Sequence, residues 1–339
     1  MMGTMIYLVA YLGLLLFFSF LLIKATEILI GALNQLSGRS QSSKFGLASF
    51  LLALATSLPE IFVGITAALE KKPNLALGNV LGSNIANLSL VIGGAAVIGG
   101  SIGVVGDFLF KDILYVFLAG FLPLLMLVDS RLTKVEGLML LAIYGVYNFT
   151  VLGRRSRKPK RKTSFRKFFY RLNHRNKEGQ VAWLFFGTAL LIFSADGVVK
   201  TAVLLAQGFK VPLMLIGLFL VAVGTSLPEL SFEIAAIRKK QVGMVFGDLL
   251  GSIVANSTLV LGVTALISPI VLDGGFKVYL WATMAFLVSF FCFWFFVRTK
   301  KKLERWEGLL LLILYFLFVF FEFWRVTQNQ AGAFFSSTN

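Results

Sequence analysis

The chain has 339 residues, 58% of them hydrophobic and 35 of them Phe, with a mean hydropathy of +0.85 and a formal net charge of +16. Apolarity at this level excludes an ordinary soluble domain and points to a polytopic membrane protein, so the positive charge has to be explained by a bilayer and not by nucleic acid. The one cysteine, Cys292, excludes an internal disulfide, and with the one histidine, His174, it offers no metal cluster or nucleophilic pair.

Apolar stretches of roughly 20 residues, enough to cross a bilayer, fall near 5–30, 45–69, 75–99, 108–128, 132–152, 181–206, 211–237, 242–268, 275–297 and 305–325. The first lacks a basic start and a small-residue cleavage site, so it reads as a retained helix rather than a signal peptide. The expected fold is an all-α membrane protein of ten transmembrane helices. Residues 1–152 hold the first five, 153–180 form a basic linker, and 181–339 hold the second five. Placing the linker in the cytoplasm puts about 23 Lys and Arg on that side and about 7 on the other, the positive-inside asymmetry, with both termini outside. Five crossings then turn the second half upside down relative to the first, giving two inverted five-helix repeats, the layout of many secondary transporters.

The linker sequence RRSRKPKRKTSFRKFFYRLNHRNK reads first as a solvated anchor of topology. Its Phe165, Phe168, Phe169 and Tyr170, interleaved with Arg and Lys, also permit a short helix against anionic headgroups. No nucleic-acid partner is expected, a monomer is the default, and so short a linker fits a prokaryotic inner membrane.

The halves share more than topology. ATSLPE and GNVLGSNIAN within Ala53–Asn87 return as GTSLPE and GDLLGSIVAN within Ala222–Asn256, displaced by 169 residues, and 18 of the 41 pairs between 53–93 and 222–262 are identical. Glu60 and Glu229 stand beside Pro59 and Pro228, prolines that leave carbonyls near Ala55 and Gly224 without a helical donor. Thr56, Ser57, Thr225 and Ser226 lie three or four residues before each glutamate, so hydroxyls and carboxylate share a face. Ser83 with Asn87, and Ser252 with Asn256, repeat the i, i+4 spacing on the next helix of each half. Gly78, Gly82, Gly247 and Gly251 allow those helices to approach closely. A lone Ser or Gly in such a helix usually only packs. Two mid-membrane glutamates in matching contexts are costly unless they bind something, and hard oxygens of this kind suit Na⁺ and Ca²⁺ better than Zn²⁺.

Other acids carry less. Lys24 with Glu27 and Asp196 with Lys200 have the i+3 and i+4 spacing of intrahelical ion pairs. Asp248, the counterpart of Asn79, is open between a place at an entrance and a helix-start cap. Glu233, with Gly64 as counterpart, has no assigned role.

The paired motifs resemble the two α-repeats of the cation/calcium exchanger superfamily, most closely its prokaryotic sodium/calcium exchanger branch. The resemblance implies helices 2, 3, 7 and 8 around the ion sites and helices 1 and 6 sliding across them. By motif position it implies Glu60 and Glu229 as ligands of both Na⁺ and Ca²⁺. Thr56, Ser57, Ser83, Thr225, Ser226, Ser252 and the carbonyls of Ala53 and Ala222 would complete the coordination, with Asn87 and Asn256 at its centre. Some relatives, the potassium-dependent branch among them, carry an acid where this chain has Asn256, which makes potassium co-transport less expected. The expected activity is exchange of Na⁺ for Ca²⁺ by alternating access, with Ca²⁺ extruded and no enzyme chemistry or cofactor. An H⁺-coupled or other divalent-cation exchanger of the same fold, and less readily a cation channel, are the alternatives.

Overall fold

A computed structural model of the chain describes residues 2–37, 56–103, 108–155, 178–272, 275–276 and 279–336. Almost all of them are helical. In chain order the helices are α1 (Met2–Ser37), α2 (Leu58–Leu69), α3 (Pro73–Gly99), α4 (Phe108–Met126), α5 (Lys134–Arg155), α6 (Glu178–Phe209), α7 (Leu213–Arg238), α8 (Val242–Ile267), α9 (Leu280–Lys300) and α10 (Arg305–Ser336). Seven of them (α1, α3, α6, α7, α8, α9 and α10) contain stretches long and apolar enough to cross a membrane. Leu58–Leu69 and Ile113–Asp129 are shorter apolar helices, and α5 does not meet the same measure. Ten crossings were expected. For α2 the shortfall arises because the expected span begins at 45, and residues 38–55 lie outside those described. The linker residues 156–177, with Phe165, Phe168, Phe169, Tyr170 and His174, also lie outside.

The outer surface is apolar, with Phe17, Phe20, Phe149, Phe186, Phe291, Phe316 and Phe320 all more than half exposed. Such a surface needs lipid, not water, as its solvent. Inside, α1 and α6 pack along one another and share an apolar cluster (Leu15, Leu22, Leu191, Val198, Leu205) that reaches Val63, Ala67 and Leu75 on α2 and α3. A larger cluster joins α3, α4, α7, α8, α9 and α10 around Phe286, Phe290 and Phe293.

Two short antiparallel ladders tie helix ends together. Ile102–Gly103, after α3, pairs with Lys302–Leu303, before α10; Arg131–Leu132, before α5, pairs with Ile270–Val271, after α8. The registers are Ile102 opposite Leu303 and Leu132 opposite Ile270. The two ladders are reciprocal, since α8 repeats α3 and α10 stands to the second half as α5 does to the first. Close packing follows the same exchange. A Cβ on Gly93 would lie 2.7 Å from the Gly308 carbonyl oxygen, and one on Gly262 would lie 2.9 Å from that of Gly137. Gly93 and Gly262 are 169 residues apart, whereas Gly137 and Gly308 are 171 apart, so the repeat continues beyond its motifs with a two-residue shift.

The α2–α3 and α7–α8 hairpins turn alike. Lys71 and Lys240, again 169 apart, take left-handed backbone with φ 56° and 57°. Between the hairpins, glycine is required for contact: a Cβ on Gly82 would stand 2.0 Å from the Leu218 carbonyl oxygen and one on Gly78 2.2 Å from that of Met214. The expected close approach at Gly78 and Gly82 is thus an approach of α3 to the backbone of α7.

Candidate ion-binding site

Both TSLPE segments turn at their serine and start a new helix. The chain leaves helical geometry at Ser57 (φ −80°, ψ 4°) and Ser226 (φ −88°, ψ 1°), and a new helix starts at Leu58 or Leu227 with the proline in its first turn. Proline is well placed there because first-turn N–H groups have no partner within the helix. Glu60 and Glu229 consequently stand at the third position of those helices, where the positive end of the helix dipole favours an anion. What the sequence suggests is a loosened helix; in the second half the structure has two helices, Ala222–Thr225 and Leu227–Arg238, meeting at a turn, while in the first half residues 38–55 before the turn lie outside those described. The Ala222 carbonyl, an expected ligand, accepts the Ser226 N–H at 3.0 Å and lies 3.3 Å from the Thr225 hydroxyl. Its first-half counterpart, Ala53, lies outside the described residues.

Helices α3 and α8 each carry a π-helical turn, Asn87–Val91 and Ala255–Val260, and α7 has a third at Gly217–Val221. A π turn is uncommon and disturbs the ordinary i→i−4 ladder, often at functional sites. Here the first two coincide with Asn87 and Asn256. Nothing in the residue pattern announces them.

Thr56, Ser57, Glu60, Ser83, Asn87, Thr225, Ser226, Glu229, Ser252 and Asn256 are all buried. Hydroxyls link the two halves reciprocally. Thr56 Oγ1 donates to Asp248 Oδ1 at 2.8 Å and lies 3.4 Å from Ser252 Oγ. Thr225 Oγ1 donates to Asn79 Oδ1 at 3.1 Å and lies 3.4 Å from Ser83 Oγ. Ser83 Oγ is also 3.4 Å from Glu60 Oε1, a long and weak hydrogen bond.

Most of the remaining oxygens have no hydrogen-bond partner among the described residues. These are Glu60 Oε2, both carboxylate oxygens of Glu229, Ser57 Oγ, Ser226 Oγ, and the side-chain oxygens and nitrogens of Asn87 and Asn256. A buried, unsatisfied polar group costs about 1–3 kcal/mol, and more when charged, so this many on the two motif pairs fit a site meant for a cation. No group of three or more His, Cys, Asp and Glu of the kind that holds a resident metal occurs among the described residues. The donor set is instead carboxylate, hydroxyl and amide oxygen, the chemistry of Na⁺ and Ca²⁺.

Other acids fall where the sequence left them open, with one correction. Asp248 is the seventh residue of its helix and fully buried, so it is no helix-start cap; it holds Thr56. Lys24–Glu27 and Asp196–Lys200 form the expected ion pairs at 2.8 and 2.9 Å on the exposed faces of α1 and α6. Asn84 was missed: its Nδ2 donates to Ser257 Oγ at 2.7 Å, joining α3 to α8. The repeat gives no warning of it, because Ile253 and Leu88 occupy the equivalent places.

The model of the family described as "Sodium/calcium exchanger protein" matches residues 10–153 and 179–324. The chain belongs to the sodium/calcium exchanger family. Among its relatives, this exchanger is 32% identical to the inner membrane protein YrbG of Escherichia coli over 65% of this chain and 68% of that one. It is 25% identical to the sodium/calcium exchanger MaX1 of Methanosarcina acetivorans over 94% and 98% of the two chains. Among solved structures, it resembles the sodium-calcium exchanger NCX_Mj soaked with 2.5 mM Na⁺ and 0.1 mM Ca²⁺, with a TM-score of 0.62 and 26% identity over 93% of this chain and 98% of that one. Membership makes the exchanger a membrane cation/Ca²⁺ antiporter and not an enzyme.

Proposed function

We propose that the exchanger carries Na⁺ and Ca²⁺ in opposite directions through one shared site, in which Glu60 and Glu229 ligate whichever ion is bound. Thr56, Ser57, Ser83, Thr225, Ser226, Ser252, Asn87, Asn256 and the carbonyls of Ala53 and Ala222 supply further oxygens. The observation that carries this reading is the pair of repeat-related carboxylates, fully buried, with three of their four oxygens lacking any hydrogen-bond partner among the described residues. Together they bring a charge of about −2, which balances one Ca²⁺ or attracts several Na⁺.

In this reading residues 1–152 and 181–339 are inverted five-helix halves and 153–180 is a cytoplasmic linker, with both termini outside. The reciprocal ladders, glycine contacts and threonine hydrogen bonds support such a relation. The site then faces each side of the membrane in turn as α1 and α6, packed together against α2 and α7, shift across it. With both carboxylates empty the charge is uncompensated and the switch is unfavourable; with either ion bound it is permitted. That is obligatory exchange. The inward Na⁺ gradient drives Ca²⁺ out.

The test is Na⁺-driven uptake of radiolabelled Ca²⁺ into proteoliposomes. Glu60→Gln and Glu229→Gln should each reduce it at least about 100-fold, since each removes a charge made for the ion. Near-normal uptake in either variant sinks the assignment. Uptake driven as well by a pH gradient as by a Na⁺ gradient would make H⁺ the coupling ion.

A further inference from the structure

The two hairpins that build the site share their motifs but differ in charge one helical turn closer to their bends. In the first half, Gly64 lies five residues before the end of α2 and Asn79 six residues after the start of α3. In the second, Glu233 lies five residues before the end of α7 and Asp248 six residues after the start of α8. At about 1.5 Å per residue each pair sits at one height, roughly 7–9 Å from its bend. A neutral layer on one side of Glu60 and Glu229 thus has a doubly acidic counterpart on the other.

That acidic layer has open coordination. Glu233 is fully buried with both carboxylate oxygens unpartnered among the described residues, and Asp248 is fully buried with Oδ2 unpartnered. The other Asp248 oxygen receives the Thr56 hydroxyl, which brings a first-half oxygen into the same layer. No cationic side chain pairs with either acid among the described residues, and the α7–α8 bend places Arg238 and Lys239 in exposed positions. Two buried carboxylates at one height, without a counter-charge, are unfavourable in their ionised form unless a cation joins them. Their counterparts show what the fold needs without one: Asn79 accepts from Thr225 as Asp248 does from Thr56, with no charge, and Gly64 has no side chain at all.

We propose that Glu233 and Asp248, with the Thr56 hydroxyl, form an accessory site for a divalent cation of the Ca²⁺ type, stacked one turn from the central pair on the side of the Arg238–Gln241 bend alone. The proposal rests on the central site being as read above and adds direction to it. Ca²⁺ entering from the bend side meets two carboxylates before the central pair; Ca²⁺ from the other side meets only Asn79. The exchanger therefore has a higher apparent Ca²⁺ affinity on the bend side, the side that loop charge places in the cytoplasm.

Equilibrium binding of radiolabelled Ca²⁺ to the purified full-length chain, followed by uptake in proteoliposomes of defined orientation, tests this. Wild type should bind two equivalents and Glu233→Gln/Asp248→Asn one. The double variant should lose apparent Ca²⁺ affinity about tenfold at the bend-side face, the equivalent of about 1.4 kcal/mol, and less than about twofold at the other. One equivalent in both proteins, or equal losses at both faces, overturns the proposal. Should the double variant fold poorly, Asp248→Asn alone keeps an acceptor for Thr56 and must still weaken binding at the bend-side face. Glu60→Gln separates the two readings: loss of one equivalent supports both sites, loss of none breaks the central site alone, and loss of both makes the two a single site and overturns the accessory one.

Discussion

The α2–α3 and α7–α8 hairpins are two solutions to one problem, and their differences are more informative than their likeness. Both turn at a serine, start a helix with proline in its first turn, raise a glutamate on the third residue of that helix and fix a threonine of one half to a helix of the other. One turn from the glutamates, the change is in charge and not in frame: Asn79 against Asp248, Gly64 against Glu233. A backbone that tolerates both versions does not need the acids for folding, which is why they read as ligands. The comparison also separates what repetition enforces, the packing between halves, from what it leaves free, the electrostatics of each side.

Packing gives the largest expected effect on this comparison. Gly93→Val and Gly262→Val each drive a branched side chain into the carbonyl of the facing glycine, Gly308 or Gly137, and each should cost about 3 kcal/mol or more, by similar amounts. Unfolding in detergent measures both. A cost at one position and none at the other would break the reciprocity on which the reading of two matched halves depends.

A smaller and deliberately unequal effect is expected at the threonines. Thr56→Ala removes a 2.8 Å hydrogen bond to a carboxylate, Thr225→Ala a 3.1 Å bond to an amide. Bonds to charged groups contribute about 1.5–3 kcal/mol and neutral ones about 0.5–1.5, so Thr56→Ala should be the more destabilising in ion-free protein. Equal costs, again by unfolding in detergent, would mean that Asp248 behaves like Asn79, and would remove the asymmetry between the two layers.

The same contrast marks what sequence can and cannot say here. The TSLPE pair, the 169-residue offset and the apolar stretches were enough to expect an exchanger-like helical membrane protein and to choose Glu60 and Glu229, because a buried carboxylate in an apolar chain is conspicuous by type alone. The link from Thr56 to Asp248 was not legible: it spans 192 residues and depends on how one half docks on the other. The π turns at Asn87 and Asn256 depend on a local shift of the backbone hydrogen-bond ladder and have no residue signature. The continuation of the repeat into α5 and α10 was hidden by the two-residue shift, which defeats a fixed-offset comparison even though Gly137 and Gly308 keep their roles.

The smallest effect expected lies at the starts of α5 and α10, equivalent points of the two halves. Thr133 N–H donates to Glu136 at 2.8 Å and the Thr133 hydroxyl completes a capping box; Glu304 N–H donates to Glu307 at the same distance, with a carboxylate where the hydroxyl was. Hydrogen bonds from Lys300, then Lys302 and Trp306, hold the Glu304 carboxyl down to about 2 from an ordinary 4.5. A carboxylate depressed on folding stabilises the native state above its unfolded pKa, and that contribution is lost as pH falls from about 4.5 through about 2. Glu304→Thr, which installs the first half's solution, should therefore lose a little stability at pH 6 and none near pH 2. The group is partly exposed and its bonds are screened by water and salt, so the difference is small, and it should shrink further at high ionic strength. A gap between the two proteins that persists unchanged to pH 2 would mean that Glu304 acts through packing and not through its charge.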